Sequence, residues 1–272
     1  MTGRQQPREI ISPRNPILKV FRRGLAEGVT REGWLAVEGP FLVEEALRAA
    51  QRAVVHSALV SRTAAEKFCA LLRRLPKEAE IAQVSDRLFG QLAQTQSPQG
   101  IAALVELRSD NLDAILAGGD ALSLVACGLQ DPGNLGTMMR SAQALGATAL
   151  LTLEDTVSPF NPKAVRASAG TVFHLPIFPD QAARALFVRL RAAKVRIVAA
   201  DRRSPSPLAQ ADLRGPVAIL IGQESAGLPP EISHEASLLL SIPIRAGTDS
   251  VNAATAASIF LYETARQRGF KY

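Results

Sequence analysis

Val217-Ala218-Ile219-Leu220-Ile221-Gly222-Gln223-Glu224-Ser225-Ala226-Gly227-Leu228-Pro229-Pro230 is the stretch on which the reading of this chain turns. Its first five residues are apolar without a break. A strand with one wet face alternates apolar and polar side chains. A strand covered on both faces reads as a continuous apolar run, the habit of parallel sheets. The run ends in Gly222, and a carboxylate, Glu224, then stands between two glycines. In open parallel sheets, ligands bind at the loops that follow the carboxyl ends of the strands. Glu224 can bind an amine or hydroxyls, or its loop can line a pocket through the backbone. It can equally be an ordinary carboxylate near a helix N-terminus, favoured by the helix dipole.

The pattern repeats on both sides of this stretch. Residues 121–127, 147–153, 195–199 and 238–242 are further short apolar runs separated by helical patterns, which predicts one parallel sheet covered on both faces. Nearer the N-terminus the spacing predicts a short helix over 12–21 and a strand over 33–37. An amphipathic helix over 40–50 and a strand over 54–60 follow, then a helix capped by Thr63 and running to 74. A strand over 81–84, a helix from Ser85 and a strand over 100–106 complete it. Strands alternating with helices imply a second, smaller layered α/β domain. Residues 109–120 are polar at both ends and contain Gly118-Gly119, so they read as the connection. The expected division is 1–108, a linker over 109–120, and 121–272.

Two more loops follow predicted strands. Gln130-Asp131-Pro132-Gly133-Asn134-Leu135-Gly136 leads into a helix expected over 137–145, with Arg140 in its first turns. Asn134 offers donors and an acceptor, and Arg140 is a fixed cation that can hold a phosphate or orient a hydroxyl. The plainer reading is an Asn cap with a solvent-facing Arg. Ile242-Pro243-Ile244-Arg245-Ala246-Gly247-Thr248-Asp249-Ser250-Val251-Asn252 precedes an alanine-rich helix expected over 253–268. Ser250 and Asn252 suit helix caps. Capping does not explain why so small-residued a helix follows, and small residues allow very close packing.

Composition bounds the remaining choices. The 272 residues are 47% hydrophobic, with a net charge of +6. Residues 1–108 hold 16 Lys/Arg against 11 Asp/Glu, while the rest hold 15 against 14. Arg4, Arg8, Arg14, Lys19, Arg22, Arg23 and Arg31 begin the excess. Such a segment attracts a polyanion such as an RNA backbone, or is simply a solvated basic tail. No run of about 18 apolar residues predicts a membrane span, and no apolar leader stands at the start. Cys69 and Cys127 form no metal pair and read as buried structural thiols. His56, His174 and His234 lack metal-ligand spacing. No GxGxxG, GxxxxGK[ST] or HExxH occurs. A cytoplasmic protein without metal or membrane partner is expected.

Taken in order, the three loops resemble the three motifs of the SpoU (TrmH) family of SPOUT methyltransferases. The resemblance is carried by residues 131–140, Gly222-Gln223-Glu224-Ser225-Ala226-Gly227-Leu228, and Ile242-Pro243-Ile244 through Ser250-Val251-Asn252-Ala253-Ala254. Arg166-Ala167-Ser168-Ala169-Gly170 fits between them. Ser12-Pro13-Arg14-Asn15-Pro16 and Phe41-Leu42-Val43-Glu44-Glu45-Ala46 more loosely resemble the substrate-binding extension of ribosomal RNA members, an α/β domain like those of some RNA-binding ribosomal proteins. The resemblance implies a C-terminal trefoil knot that cradles S-adenosylmethionine, a homodimer packed through that domain, and methyl transfer to an RNA ribose 2′-hydroxyl, with 23S ribosomal RNA as the leading substrate. By motif position it implies Asn134, Arg140, Glu224, Ser250 and Asn252 as the catalytic set, and Gly222, Ile242 and Val251 as the cofactor pocket. Two other readings stand beside it: a transfer-RNA 2′-O-methyltransferase, and a non-catalytic RNA-binding factor in ribosome assembly.

Overall fold

The computed structural model describes residues 7–224, 226–245 and 250–271. The chain divides into two compact units, Met1–Ser109 with Phe160–Arg166, and Asp110–Pro159 with Ala167–Tyr272. No helix among the described residues is long and apolar enough to cross a membrane.

The first unit is built on a five-stranded sheet of β1 (Arg8–Glu9), β2 (Leu35–Glu38), β3 (Ala53–Ser61), β4 (Glu80–Val84) and β5 (Ile101–Leu107), in the order β1-β4-β3-β5-β2. β1 and β3 run parallel to β4, while β5 runs antiparallel to both β3 and β2. Helix Pro16–Glu27 starts at Asn15, whose side chain accepts from the Ile17 amide, with Pro16 at its first position, where a missing N–H costs nothing. Its Leu18, Phe21 and Leu25 are buried on Ala36, Leu59 and Leu104 of the sheet. The helix expected from Thr63 begins earlier: the Ser61 hydroxyl accepts from the Ala64 amide, so Ser61 is the cap. It also breaks at Phe68 into Arg62–Lys67 and Cys69–Leu72. In the second piece Leu71 and Leu72 turn inward and leave Cys69 exposed, which corrects the expectation of a buried thiol.

Six parallel strands form the second unit: β6 (Leu122–Ala126), β7 (Ala149–Leu153), β8 (Ile177–Gln181), β9 (Arg196–Ala200), β10 (Val217–Ile221) and β11 (Leu238–Leu240). Their order is β11-β9-β10-β6-β7-β8. β6, β7 and β10 are buried along their whole length, as continuous apolar runs demand. Residues 109–120, read as a connection, hold helix Leu112–Leu116, whose Leu112 and Leu116 are buried in this unit's core. Helices Pro132–Ala144 and Ala253–Gln267 pack side by side. Gly136 and Ala142 of the first and Ala253, Ala254 and Ala257 of the second are buried, and the hydroxyls of Ser141 and Ser258 bond at 2.7 Å. Small side chains let the two backbones come close enough for that bond. Arg268, just past the last helix, donates to the carbonyls of Asp120, Ala121 and Gly215 and ties the chain's end to the sheet.

Candidate functional site

Parallel pairing puts the carboxyl ends of β6, β10 and β11 on one edge, so their loops converge. Helix Pro132–Ala144 begins five residues earlier than expected. The Asp131 side chain accepts from the Gly133 amide at 2.8 Å, and Pro132 occupies the first position. Asn134 therefore lies inside the first turn rather than capping it. Its Nδ2 donates to Glu224 Oε1 at 2.8 Å. Asn252 Nδ2 donates to Asn134 Oδ1 at 2.9 Å and also to Glu224 Oε1. The amide of Ala253 donates to the same oxygen at 3.2 Å. Asn252 is at the same time the cap of the last helix, its Oδ1 accepting from Ala254 at 2.9 Å and Thr255 at 3.2 Å. The Ser250 hydroxyl donates to the Glu224 carbonyl at 3.4 Å. Four of the five residues expected as catalytic thus form one bonded cluster. Ser225 and residues 246–249 of the second and third loops lie outside the described residues.

Arg140 stands apart. It is exposed on helix Pro132–Ala144 and has no hydrogen-bond or ion-pair partner among the described residues. The nearest exposed position one turn back is Thr137, whose hydroxyl is committed to the Gly133 carbonyl at 3.0 Å. A helix places residues three apart on one face, so Arg140 and Thr137 share the face turned to solvent.

One carboxylate oxygen taking three N–H bonds is a strong tie between loops far apart in sequence. Glu224→Ala is expected to lower the stability of the second unit by about 1 kcal/mol, discounted for the cluster's exposure, and Glu224→Gln by less, since an amide keeps the accepting oxygen. Thermal unfolding followed by circular dichroism reads the order. Equal melting temperatures for wild type and Glu224→Ala would show that the carboxylate does not hold the loops.

Beside the cluster lies an open cavity of about 160 Å³. Gly222, Ile242 and Val251, the three residues expected to line a cofactor pocket, all line it. Leu228, Leu240 and Phe260 add apolar surface, and Glu224 and Ser250 reach it from the cluster. The second loop folds back on itself: Gln223 donates to the Gly227 carbonyl at 3.1 Å and Gly227 returns a bond at 2.9 Å. That closeness leaves no room at Gly222, where an added Cβ would stand 2.4 Å from the carbonyl carbon and oxygen of Gly227. The cavity wall here is bare backbone, whose N–H and C=O edges suit an adenine or a ribose, with aliphatic side chains for the ring faces.

Sequence reasoning missed several supports. The Gln223 side chain donates to the Gly128 carbonyl, which also accepts from Gln130 at 3.1 Å, so the first and second loops are bridged below the cluster. Gly128 sits at φ +69°, a left-handed conformation that glycine adopts freely. Nothing in the spacing of Gln130 and Gln223 signals that they share one acceptor. The end of β9 and the loop after it also line the cavity, with Ala200, Asp201, Arg202 and Arg203. Cys127 follows β6, and burial pushes its thiol up to about 12, which disfavours the thiolate.

Comparison with known proteins adds to this geometry. The family model described as the SpoU rRNA Methylase family matches residues 121–262, and the MRM3-like substrate binding domain matches residues 29–103. A 23S rRNA (uridine(2479)-2′-O)-methyltransferase of Streptomyces viridochromogenes is 33% identical over 207 residues, 74% of this chain and 72% of that protein. A 23S rRNA (guanosine(2553)-2′-O)-methyltransferase of Bacillus subtilis is 28% identical over 237 residues, 86% of this chain and 89% of that protein. Among solved structures, the SpoU methyltransferase AviRb from Streptomyces viridochromogenes in complex with the cofactor AdoMet superposes with a TM-score of 0.84, at 28% identity, over 95% of this chain and 100% of that one.

Proposed function

The chain belongs to the SpoU rRNA methylase family, and from that premise we propose that it methylates a ribose 2′-hydroxyl of 23S ribosomal RNA with S-adenosylmethionine as donor. The observation that carries the proposal is the bonded cluster of Asn134, Glu224, Ser250 and Asn252 at the mouth of a backbone-lined cavity. A binding factor without chemistry has no need of a carboxylate that fixes three loops beside such a cavity. The Bacillus relative aligns over 237 residues, more than the second unit contains, and acts on 23S rRNA. That supports ribosomal over transfer RNA. The charge excess of residues 1–108 fits the phosphate backbone.

When bound, the cofactor supplies a methyl group already activated on a sulfonium. Gly222, Ile242 and Val251 hold it by backbone and apolar contact. Much of the rate then comes from positioning the ribose oxygen. Asn134 and Asn252, locked by Glu224, form a rigid rim against which the ribose is seated. Arg140 reaches from the exposed helix face to the phosphate beside the target and orients the hydroxyl. A guanidinium keeps its proton in proteins, so Arg140 acts as a clamp, and the hydroxyl proton leaves through the RNA phosphate or water that it organises. The protein works in the cytoplasm as a homodimer packed through the second unit. The exposed rings of Tyr262, on the last helix, and Phe270, just past its end, with centroids 5.7 Å apart, support that pairing.

Calorimetric titration with S-adenosylmethionine, and methyl transfer to 23S rRNA mapped by primer extension, test the reading. Binding in the micromolar range and a single 2′-O-methylated nucleotide are expected. No heat at millimolar ligand, or binding of NAD or ATP instead, overturns it.

A further inference from the structure

β9 lies between β10 and β11 in the sheet, so the loop after β9 stands between the two loops that carry the cofactor motifs. Ala200, the last residue of β9, and Asp201–Arg203 of the loop form a third wall of the cavity, and Asp201 is the acidic side chain on that wall. The Asp201 side chain is 22% exposed. Its backbone is fixed, with the amide donating to the Leu240 carbonyl at 3.0 Å and the carbonyl accepting from Ser204 at 3.1 Å. Oδ1 accepts from the Arg203 amide at 2.9 Å, and Arg203 Nε lies 3.6 Å from the same oxygen. Oδ2 has no hydrogen-bond partner among the described residues.

A rigid carboxylate at the end of a strand next to a cofactor-binding strand is how dinucleotide-binding folds hold a ribose diol. The charges nearby narrow the choice. Arg203 Nε already lies 3.6 Å from Asp201 Oδ1, so the carboxylate has a cationic neighbour and gains less from the α-ammonium of a methionyl tail. Neutral hydroxyl donors do not rely on that gain. Resting on the cofactor reading above, we propose that Asp201 accepts hydrogen bonds from the ribose hydroxyls of the bound adenosine and is a cofactor-binding residue of this chain.

The test uses the full chain and three ligands in calorimetry: S-adenosylhomocysteine, 5′-methylthioadenosine, which keeps the ribose and lacks the amino-acid tail, and the 3′-deoxy form of the latter. Hydrogen bonds to a charged acceptor predict that Asp201→Ala weakens the first two ligands alike, by about tenfold to a hundredfold. Wild type discriminates against the 3′-deoxy ligand and Asp201→Ala does not. Asp201→Asn keeps an acceptor for the Arg203 amide, so the turn survives, and it shows a smaller loss of the same kind. Should the alanine variant not fold, the asparagine variant decides. Unchanged affinities overturn the assignment. Weakening confined to S-adenosylhomocysteine overturns it too, by moving Asp201 to the tail. Wild type that binds none of the ligands removes the cofactor reading itself, an outcome distinct from either.

Discussion

Arg140→Ala will leave S-adenosylhomocysteine affinity within about twofold of wild type, since no bond to the cavity is removed, and will slow methyl transfer to 23S rRNA by about 10²-fold or more, the cost of losing the clamp that positions the reacting hydroxyl. Arg140 has no partner among the described residues and is exposed, so its truncation removes no structural bond and opens no cavity. Exposed substitutions of that kind stay within about 0.5 kcal/mol of wild-type stability. The effect must therefore appear at the chemical step. Single-turnover transfer of a labelled methyl group, beside calorimetry and thermal unfolding on the same preparation, separates the three quantities. Arg140→Lys keeps the charge but not the planar fork that grips a phosphate oxygen pair, and falls between. Turnover near wild type in the alanine variant would remove Arg140 from the site.

Gly222→Ala acts through the opposite route. The new methyl group would meet the Gly227 carbonyl at 2.4 Å and the Leu228 amide nitrogen at 2.7 Å. Both are backbone, and the loop is closed by the paired bonds between Gln223 and Gly227, so neither can swing aside as a side chain would. Overpacking of this kind costs about 1–3 kcal/mol. For a protein of this size about 1 kcal/mol moves the melting temperature by roughly 2–4 °C. The larger loss is in binding, because the loop that must part is the cavity wall. A decrease of about a hundredfold in S-adenosylhomocysteine affinity, on the order of 3 kcal/mol, is expected in calorimetry. Wild-type affinity in this variant would mean that the loop bends without disturbing the cofactor's seat.

Much of this was legible because it is local. The apolar run Val217–Ile221 and its neighbours announce a covered parallel sheet by composition alone. The motif residues Asn134, Glu224, Ser250 and Asn252 follow such runs. What escaped is non-local or disguised. β8, Ile177–Gln181, contains Pro179 and Asp180, and Asp180 sits at φ 50°. Proline and an edge position hide a strand from any propensity argument. The start of helix Pro132–Ala144 was misplaced because Asp131-Pro132 reads as a turn until the Asp131 side chain is seen to cap Gly133. Asp201 carried no signal at all. It becomes a wall of the cavity only because β9 inserts between two later strands, and sequence order does not encode that insertion.

The bond from Asn252 to Asn134 joins residues 118 positions apart. During synthesis at about 5–20 residues per second, roughly 6–24 s pass between the appearance of one amide and the other. Until the second arrives, Glu224 lacks the donors of the third loop and the cavity lacks a side. The nascent chain therefore has nothing with which to capture a nucleoside, however much of the sheet has formed. Long-range closure of this kind is slow, and a ligand that recognises only the closed form stabilises the finished protein by mass action without guiding its early folding.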